Sequence, residues 1–485
     1  MTDNSTPVLP VHQAAGNGRR LAMFRVQSAG PNQGAAVGTI VNRSRHAVRN
    51  NPWAGAAVTK YVVNQIGTGI QAKPVNGTPE QKAASSKKWR RWTKVSDADG
   101  VLDFYGQQAL SATEFKEAGE FFVRTRWRRR SDRLPVPIQF QLIESEQCPR
   151  DHNTTTIAAN GRVHPIREGI EFDEIGRRVA YWMYKKHPGD HHPEGSDSTL
   201  YRIPADEIMH VYRPLRAGQL RGIPDISAVL TLILNQDRLS DSVMERQAIA
   251  NLHTGFFTRE ANSQDAGPLG ETRIGDDVDG TPIAGMEPGT MSELPPGWDV
   301  KFNDPPGAGT EYAEFMRLNL MAFAARVGVP YEVLTGDLRN ISDRALKLIL
   351  LEFHRLIEMD LWLCIIPMFV SKMRDAWWDA LVLDGGIDAP DYYDDPEHYR
   401  ETLWMPEGWP YAHPVQDVTA DEKAIAAGLT SRSRLVLRRG EDPQEIDTEQ
   451  AADNARADAL GLKYTSDGRV ANADVVDPYN EDNNQ

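Results

Sequence analysis

The stretch HPGDHHPE (187–194) holds His187, Asp190, His191 and His192, the richest set of metal-ligating residue types in the chain. Zinc would take imidazole nitrogens and a carboxylate. These residues sit in a Pro/Gly loop without the helical or hairpin spacing of common zinc sites, and no cysteine lies close in sequence. The stretch therefore reads as a solvated loop, and no metal ligand is assigned. Nucleophilic catalysis would need a GxSxG elbow and phosphate transfer a GxxxxGK[ST] loop, and the sequence has neither. Carboxylate pairs such as Asp276 and Asp277 lie in polar sequence, where solvation accounts for them. No catalytic residue and no cofactor is expected. In EFFVRTRWRRRSDR, Arg124, Arg126 and Arg128 alternate with Val123, Thr125 and Trp127, the period of a strand. Such a strand could grip phosphate. The preferred reading is an exposed edge strand or an interface, where charge blocks stray pairing or forms ion pairs.

Any such groups need a scaffold, and 485 residues with 40% hydrophobic and 25% charged content can bury a sizeable core. The formal charge of −14 argues against a protein that coats nucleic acid, because affinity for duplex comes largely from Lys and Arg displacing counterions. LWLCIIPMFV (361–370), the longest apolar run, is well short of the roughly 20 residues of a membrane span, and Pro367 interrupts it. The N-terminus lacks the basic start and apolar core of a signal peptide. Cys148 and Cys364 are too few for a disulfide framework and are expected as buried small apolar groups.

Periodicity then orders the elements. Residues 1–42 read as a flexible arm. RSRHAVRNNPWAGAAVTKYVVNQIGTG (43–69) reads as two helices broken at Pro52, and its Gly67 and Gly69 follow a helix rather than the strand a dinucleotide fingerprint requires. Short strands fill 115–213. A helix over 224–252, roughly 43 Å long, is expected after VYRPLRAGQLRGIPDIS (211–227), with Pro224 in its first turn and Asp225 at its positive end. Residues 255–308 carry ten Asp and Glu against three Lys and Arg, a net charge of −7. A second helix spans 310–328. A third begins near Ser342, with Ala345, Leu348, Leu356, Met359, Leu363 and Ile366 on its buried face. The tail from 376 turns to Asp, Pro and Gly before further helical pieces, and the last twenty residues read as disordered.

Three stretches, VRNNPWAGAAVTKYVVNQIGTG, HVYRPLRAGQLRGIPDIS and LMAFAARVGVPYEVLTGDLRNISDRA, resemble the lambda-type portal proteins of tailed bacteriophages. The segment WPYAHPVQDVTADEKAIAAGLTSRSRLVLRRGEDPQEI is similar to that family's C-terminal part. The resemblance implies an α+β portal fold with a mixed α/β wing, a long helical stem, a small α/β clip and a helical crown. On this sequence it implies a flexible N-terminal arm (1–42), a wing (43–222), stem helices (223–254 and 309–328), a clip (255–308) and a tunnel loop (329–343). A long wing and crown helix (344–375), a C-terminal crown region (376–465) and a tail (466–485) follow. It further implies a dodecameric ring at one capsid vertex of the virion, assembled in the host cytoplasm, through which double-stranded DNA is packaged and ejected. Its partners would be copies of itself, the terminase large subunit, head–tail adaptor proteins, and the major capsid and scaffold proteins, with no membrane. Arg339, Asn340 and Arg344 would face the DNA channel, although Arg339 and Arg344 could instead ion-pair with Glu332, Asp337 or Asp343. Asp276, Asp277 and Asp279 would dock partners at the clip, and Arg213, Arg216 and Arg221 would pair with a neighbouring subunit's acids. The alternatives are a ring-forming head-completion or tail connector protein, which needs no clip, and a phage DNA-processing enzyme, which needs a metal cluster.

Overall fold

The computed structural model describes residues 34–158, 161–190, 199–252, 255–259, 273–276, 282–284, 298–302, 310–339, 341–411 and 413–462. Helix α1 (Gly34–Asn50) starts inside the stretch expected to be a flexible arm, because Val37 and Val41 find a buried seat against Ala118. Asn51 separates it from α2 (Pro52–Ile66): its side chain accepts from the Trp53 and Ala54 amides, and Pro52 begins the new helix where an N–H is not needed. Strand β1 (Gln71–Pro74) and helices α3 (Pro79–Trp92) and α4 (Phe104–Glu117) follow.

Strands β2 (Glu120–Trp127), β3 (Ile138–Ile143), β4 (Thr154–Ile157), β5 (Val163–Arg167), β6 (Ile170–Phe172), β7 (Arg178–Tyr184), β8 (Leu200–Pro204) and β9 (Ile208–Tyr212) form two antiparallel sheets. One is the meander β4-β5-β6-β7-β8. The other has the order β3-β2-β9. The arginine-bearing β2 is thus the middle strand, which corrects its reading as an edge. Its first half, Glu120–Val123, is buried on both faces, so only the later arginines reach the surface.

The long helix is shorter than expected. A 3₁₀ turn occupies Asp225–Val229 and α5 runs from Leu230 to Leu252, about 34 Å at ~1.5 Å per residue. Asp225 does not cap it, because Lys116 and Arg213 engage its carboxylate. Residues 228–327 form a compact unit of their own, and 1–227 with 328–485 form the other. Within the smaller unit β10 (Gly255–Arg259) pairs antiparallel with β13 (Trp298–Phe302), and β11 (Arg273–Asp276) with β12 (Pro282–Ala284). Helix α6 (Thr310–Val327) closes that unit, and Tyr312 of α6 shares a hydroxyl contact of 3.1 Å with Ser240 of α5.

In the larger unit α7 (Tyr331–Thr335) precedes α8 (Asp343–Asp360), which Ser342 caps by accepting from the Ala345 amide. A π-helical stretch, Leu361–Val370, carries the helix past Pro367 into α9 (Ser371–Leu383). Proline supplies no N–H and its ring crowds the carbonyl one turn back, so the wider turn absorbs the defect. The buried face differs from the expected one. Phe353, Ile357, Asp360, Leu361 and Cys364 point inward, whereas Leu348 and Leu363 are more than half exposed. The apolar pattern misled because a carboxylate, Asp360, occupies the centre of the inner face. The expected polar tail from 376 is also displaced, since Trp377 and Trp378 belong to the main core. Helix α10 (Pro396–Arg400), strand β14 (Thr402–Met405, paired with β1), α11 (Pro414–Ala426), α12 (Arg432–Arg438) and α13 (Pro443–Leu460) complete the described chain.

The core packs α3, α4, the three-stranded sheet, the π stretch and α9 around Trp89, Trp92, Phe104, Phe140, Phe369 and Trp377. Inside it lies Arg374, fully buried over Trp89 and Trp377 at 4.2 and 4.3 Å from their ring centroids, with none of its nitrogens hydrogen-bonded among the described residues. Burial pushes the guanidinium down to about 9. A buried cation without a carboxylate costs more in lost hydration than ring contacts of roughly 1–2 kcal/mol each restore. Arg374→Met should therefore keep or raise the melting temperature. A clear drop would show that the cation–aromatic stack is net stabilising.

Candidate functional site at the root of the long helix

The segment 211–227 enters its turn from β9 and leaves it toward α5, and two buried charge clusters hold its ends. Both trace back to the end of α4. Gly119 has φ +82°, and a Cβ there would stand 2.2 Å from the Ile223 carbonyl carbon. A Cβ on Gly222 would stand 2.0 Å from the Gly119 carbonyl oxygen. Two backbones without side chains thus meet face to face, which only glycine permits.

The next residue, Glu120, is the centre of the first cluster. Its fully buried carboxylate accepts from Arg221 Nε at 2.8 Å and Nη2 at 2.6 Å, from Arg150 Nη2 at 2.6 Å and from Ser145 Oγ at 2.6 Å. It also accepts the Gly222 amide at 2.7 Å. His210 Nε2 lies 3.0 Å away. Arg178 donates to Nδ1 of the same ring at 3.1 Å, so that nitrogen must carry a lone pair and the imidazole is neutral with its proton on Nε2. The Glu120–His210 contact is therefore a hydrogen bond rather than an ion pair. Burial, although partly opposed by Glu120, pushes His210 down to about 3. Despite its own burial, Glu120 is held well below the usual carboxylate range by Arg150, Arg221 and His210. The remaining donors of Arg221 reach the carbonyls of Cys148, Ser145 and Glu168.

Asp360 of α8 anchors the second cluster. It receives Arg213 Nη1 at 2.9 Å, the Tyr61 hydroxyl at 2.7 Å and Lys116 Nζ at 3.3 Å. Lys116 also reaches Asp225 at 2.8 Å, and Arg213 pairs with Asp225 as well. Lys116 Nζ stands 3.5 Å from the Tyr61 ring centroid. Two acids and two bases balance here, and they tie α2, α4 and α8 to both ends of the turn.

These contacts revise the interface arginines. Arg221 is 2% exposed and used up within its own subunit, and Arg213 is bound to Asp360 and Asp225 of its own chain. Neither presents a free charge to a neighbour. Arg216 is exposed in the turn between them. The sequence marked these positions, but nothing in it pointed to Glu120 or Asp360, whose partners lie 101 and 147 residues away.

Of the channel residues, Arg339 is exposed and forks onto Asp337 at 2.7 and 2.8 Å, so the ion-pair alternative describes its conformation in the single chain. Arg344 is exposed in the first turn of α8. Asn340 lies outside the described residues, as do Asp277 and Asp279; Asp276 ends β11. His191 and His192 are also outside them. His187 comes within 3.2 Å of Glu144 and near Glu146, but Arg45 takes both oxygens of Glu146 at 2.7 and 3.0 Å, which leaves that set a surface acid cluster. Cys148 and Cys364 are both buried thiols, and among the described residues no helix is long and apolar enough to cross a membrane.

The buried His210 makes the root acid-sensitive. An unfolded chain binds its proton near pH 6.5, whereas the folded one resists until about 3, so stability is full above 6.5 and declines as pH falls between them. The urea midpoint should drop from pH 7 to pH 4.5. His210→Gln, which keeps a donor and an acceptor, should reduce the accompanying loss of unfolding free energy by about 3 kcal/mol, two pH units at ~1.4 kcal/mol each. An unchanged drop would place the sensitivity elsewhere.

The family model described as phage portal protein, lambda family, matches residues 17–360. The probable portal protein of Halomonas phage phiHAP-1 is 25% identical over 416 residues, which cover 84% of this chain and 77% of that protein. Portal protein B of Escherichia phage lambda is 20% identical over 463 residues, covering 87% and 84%. Among solved structures, the neck of an empty gene transfer agent particle aligns with a TM-score of 0.46 and 13% identity over 86% of this chain and 99% of that one. The chain belongs to the lambda family of phage portal proteins.

Proposed function

We propose that this protein is the subunit of a ring at one capsid vertex that serves as the channel for DNA during packaging and ejection. The observation that carries the reading is the family match over residues 17–360, which spans the turn, both long helices and the loop before α8. The role is structural. The larger unit acts as wing and crown, α5 and α6 as the stem, and β10–β13 with their acidic surroundings as the clip. The clip docks the terminase large subunit during filling and head–tail adaptors afterwards, with Asp276, Asp277 and Asp279 steering encounter more than setting affinity. Copies of the chain close by rotation, a heterologous interface whose copy number follows from one angle, and we take that number as twelve.

The charge of −14 per chain suits a conduit that guides duplex without gripping it, since each Lys or Arg on a phosphate would add salt-dependent binding. Arg339, Asn340 and Arg344 make brief contact where the loop 329–343 narrows the bore, and Arg339 must then leave Asp337.

Electron microscopy of the full-length protein should show closed rings with a central hole, without ATPase or nuclease activity. A stable monomer in light scattering at micromolar concentration would contradict it. With rings intact, Arg339→Ala and Arg344→Ala should lower packaging yield or DNA retention. Wild-type packaging and retention in both would remove the loop from the channel.

A further inference from the structure

The arginines of β2 face a cavity of about 310 Å³ walled by β2, β3, β7 and β8. Its charged lining is Arg124, Arg126, Lys185 and Arg202, with no acid among the lining residues. Arg202 is neutralised, since Glu171 receives it at 2.8 and 3.0 Å. The others are not. Arg124 reaches Glu207 only at 3.4 Å, and its Nε is buried with no hydrogen-bond partner among the described residues. Arg126 donates from Nε to an uncharged oxygen, Gln141 Oε1, at 3.0 Å, and no ion pair of Arg126 or Lys185 is seen among the described residues. Burial and the neighbouring Arg124 and Arg128, partly opposed by Asp99 and Glu207, hold Arg126 below the ordinary arginine range.

Arginine is costly to desolvate and is found buried where a carboxylate or oxyanion meets its fork. Two arginines at positions i and i+2 share one face of a strand about 6–7 Å apart, a spacing that lets them grip one tetrahedral oxyanion from two sides. The volume is at the lower end of the roughly 300–1,000 Å³ of small-ligand sites, enough for a phosphate group and its bound water but far too little for duplex. We propose that this cavity is an oxyanion site that takes a phosphate group, held by Arg124 and Arg126 with Lys185 completing the charge. The phosphate can come from solution or from the backbone of a nucleic acid end, and the chemistry of recognition is the same.

Titration calorimetry of the full-length protein with inorganic phosphate, at ionic strength fixed with sodium chloride, tests it. One saturable site per chain is expected. Arg124→Gln and Arg126→Gln should each weaken it at least tenfold, while Arg130→Gln, an exposed arginine outside the cavity, should not. Lys185→Gln changes an exposed residue and should weaken binding severalfold even if a strand variant fails to fold. A short DNA duplex added as competitor separates the sources: displacement of phosphate assigns the site to backbone phosphate, and no displacement to the free anion, both upholding it. The absence of saturable binding in the parent overturns the proposal, as does parental affinity in the folded cavity variants.

Discussion

One buried carboxylate governs this fold. Glu120 stands where α4 gives way to the central strand β2, and it must find enough donors to replace its hydration or be protonated. It finds them in Arg221, Arg150, Ser145, His210 and the Gly222 amide, which come from three separate parts of the chain. Satisfying it therefore draws together the loop after β3, the strand β9 and the turn that leads to α5. Gly119 and Gly222 make the same demand sterically, since a side chain on either would drive the two backbones apart.

Ion pairs of this kind are weak evidence for stability, because well-packed apolar residues would often serve as well. Removing a single partner is another matter, costing about 3–5 kcal/mol by stranding the rest. What the cluster supplies is uniqueness. A greasy contact could slide by a residue, whereas a carboxylate with its donors at 2.6–3.0 Å fixes the turn in one position. The second cluster, around Asp360, fixes the other end against α2 and α8.

The sequence disclosed the strands of β2, β3 and β9, the two long helices and a third helix beginning near Ser342, because each has a strong local period. The helix start at Pro224 was misplaced because Asp225, a good residue for a first turn, is held by Lys116 and Arg213 instead. The inner face of α8 was misread because its centre is charged, and apolar patterning cannot foresee a carboxylate paired with residues 147 and 244 positions away. Arg213 and Arg221 were expected to pair with a neighbouring subunit's acids, whereas within the chain they pair with Asp225, Asp360 and Glu120. The helix through 361–370 was expected, but the π turn that carries it past Pro367 is one that no local rule specifies.

The central claim is that Glu120 locks the root of the long helix as firmly as the core. Amide hydrogen exchange on the assembled protein tests it at one atom, the Gly222 N–H, which points 2.7 Å to the Glu120 carboxylate in a turn with no strand or helix of its own. The account predicts protection of that amide equal to the amides of β2. Exchange as fast as in the exposed residues 217 and 218 would contradict it.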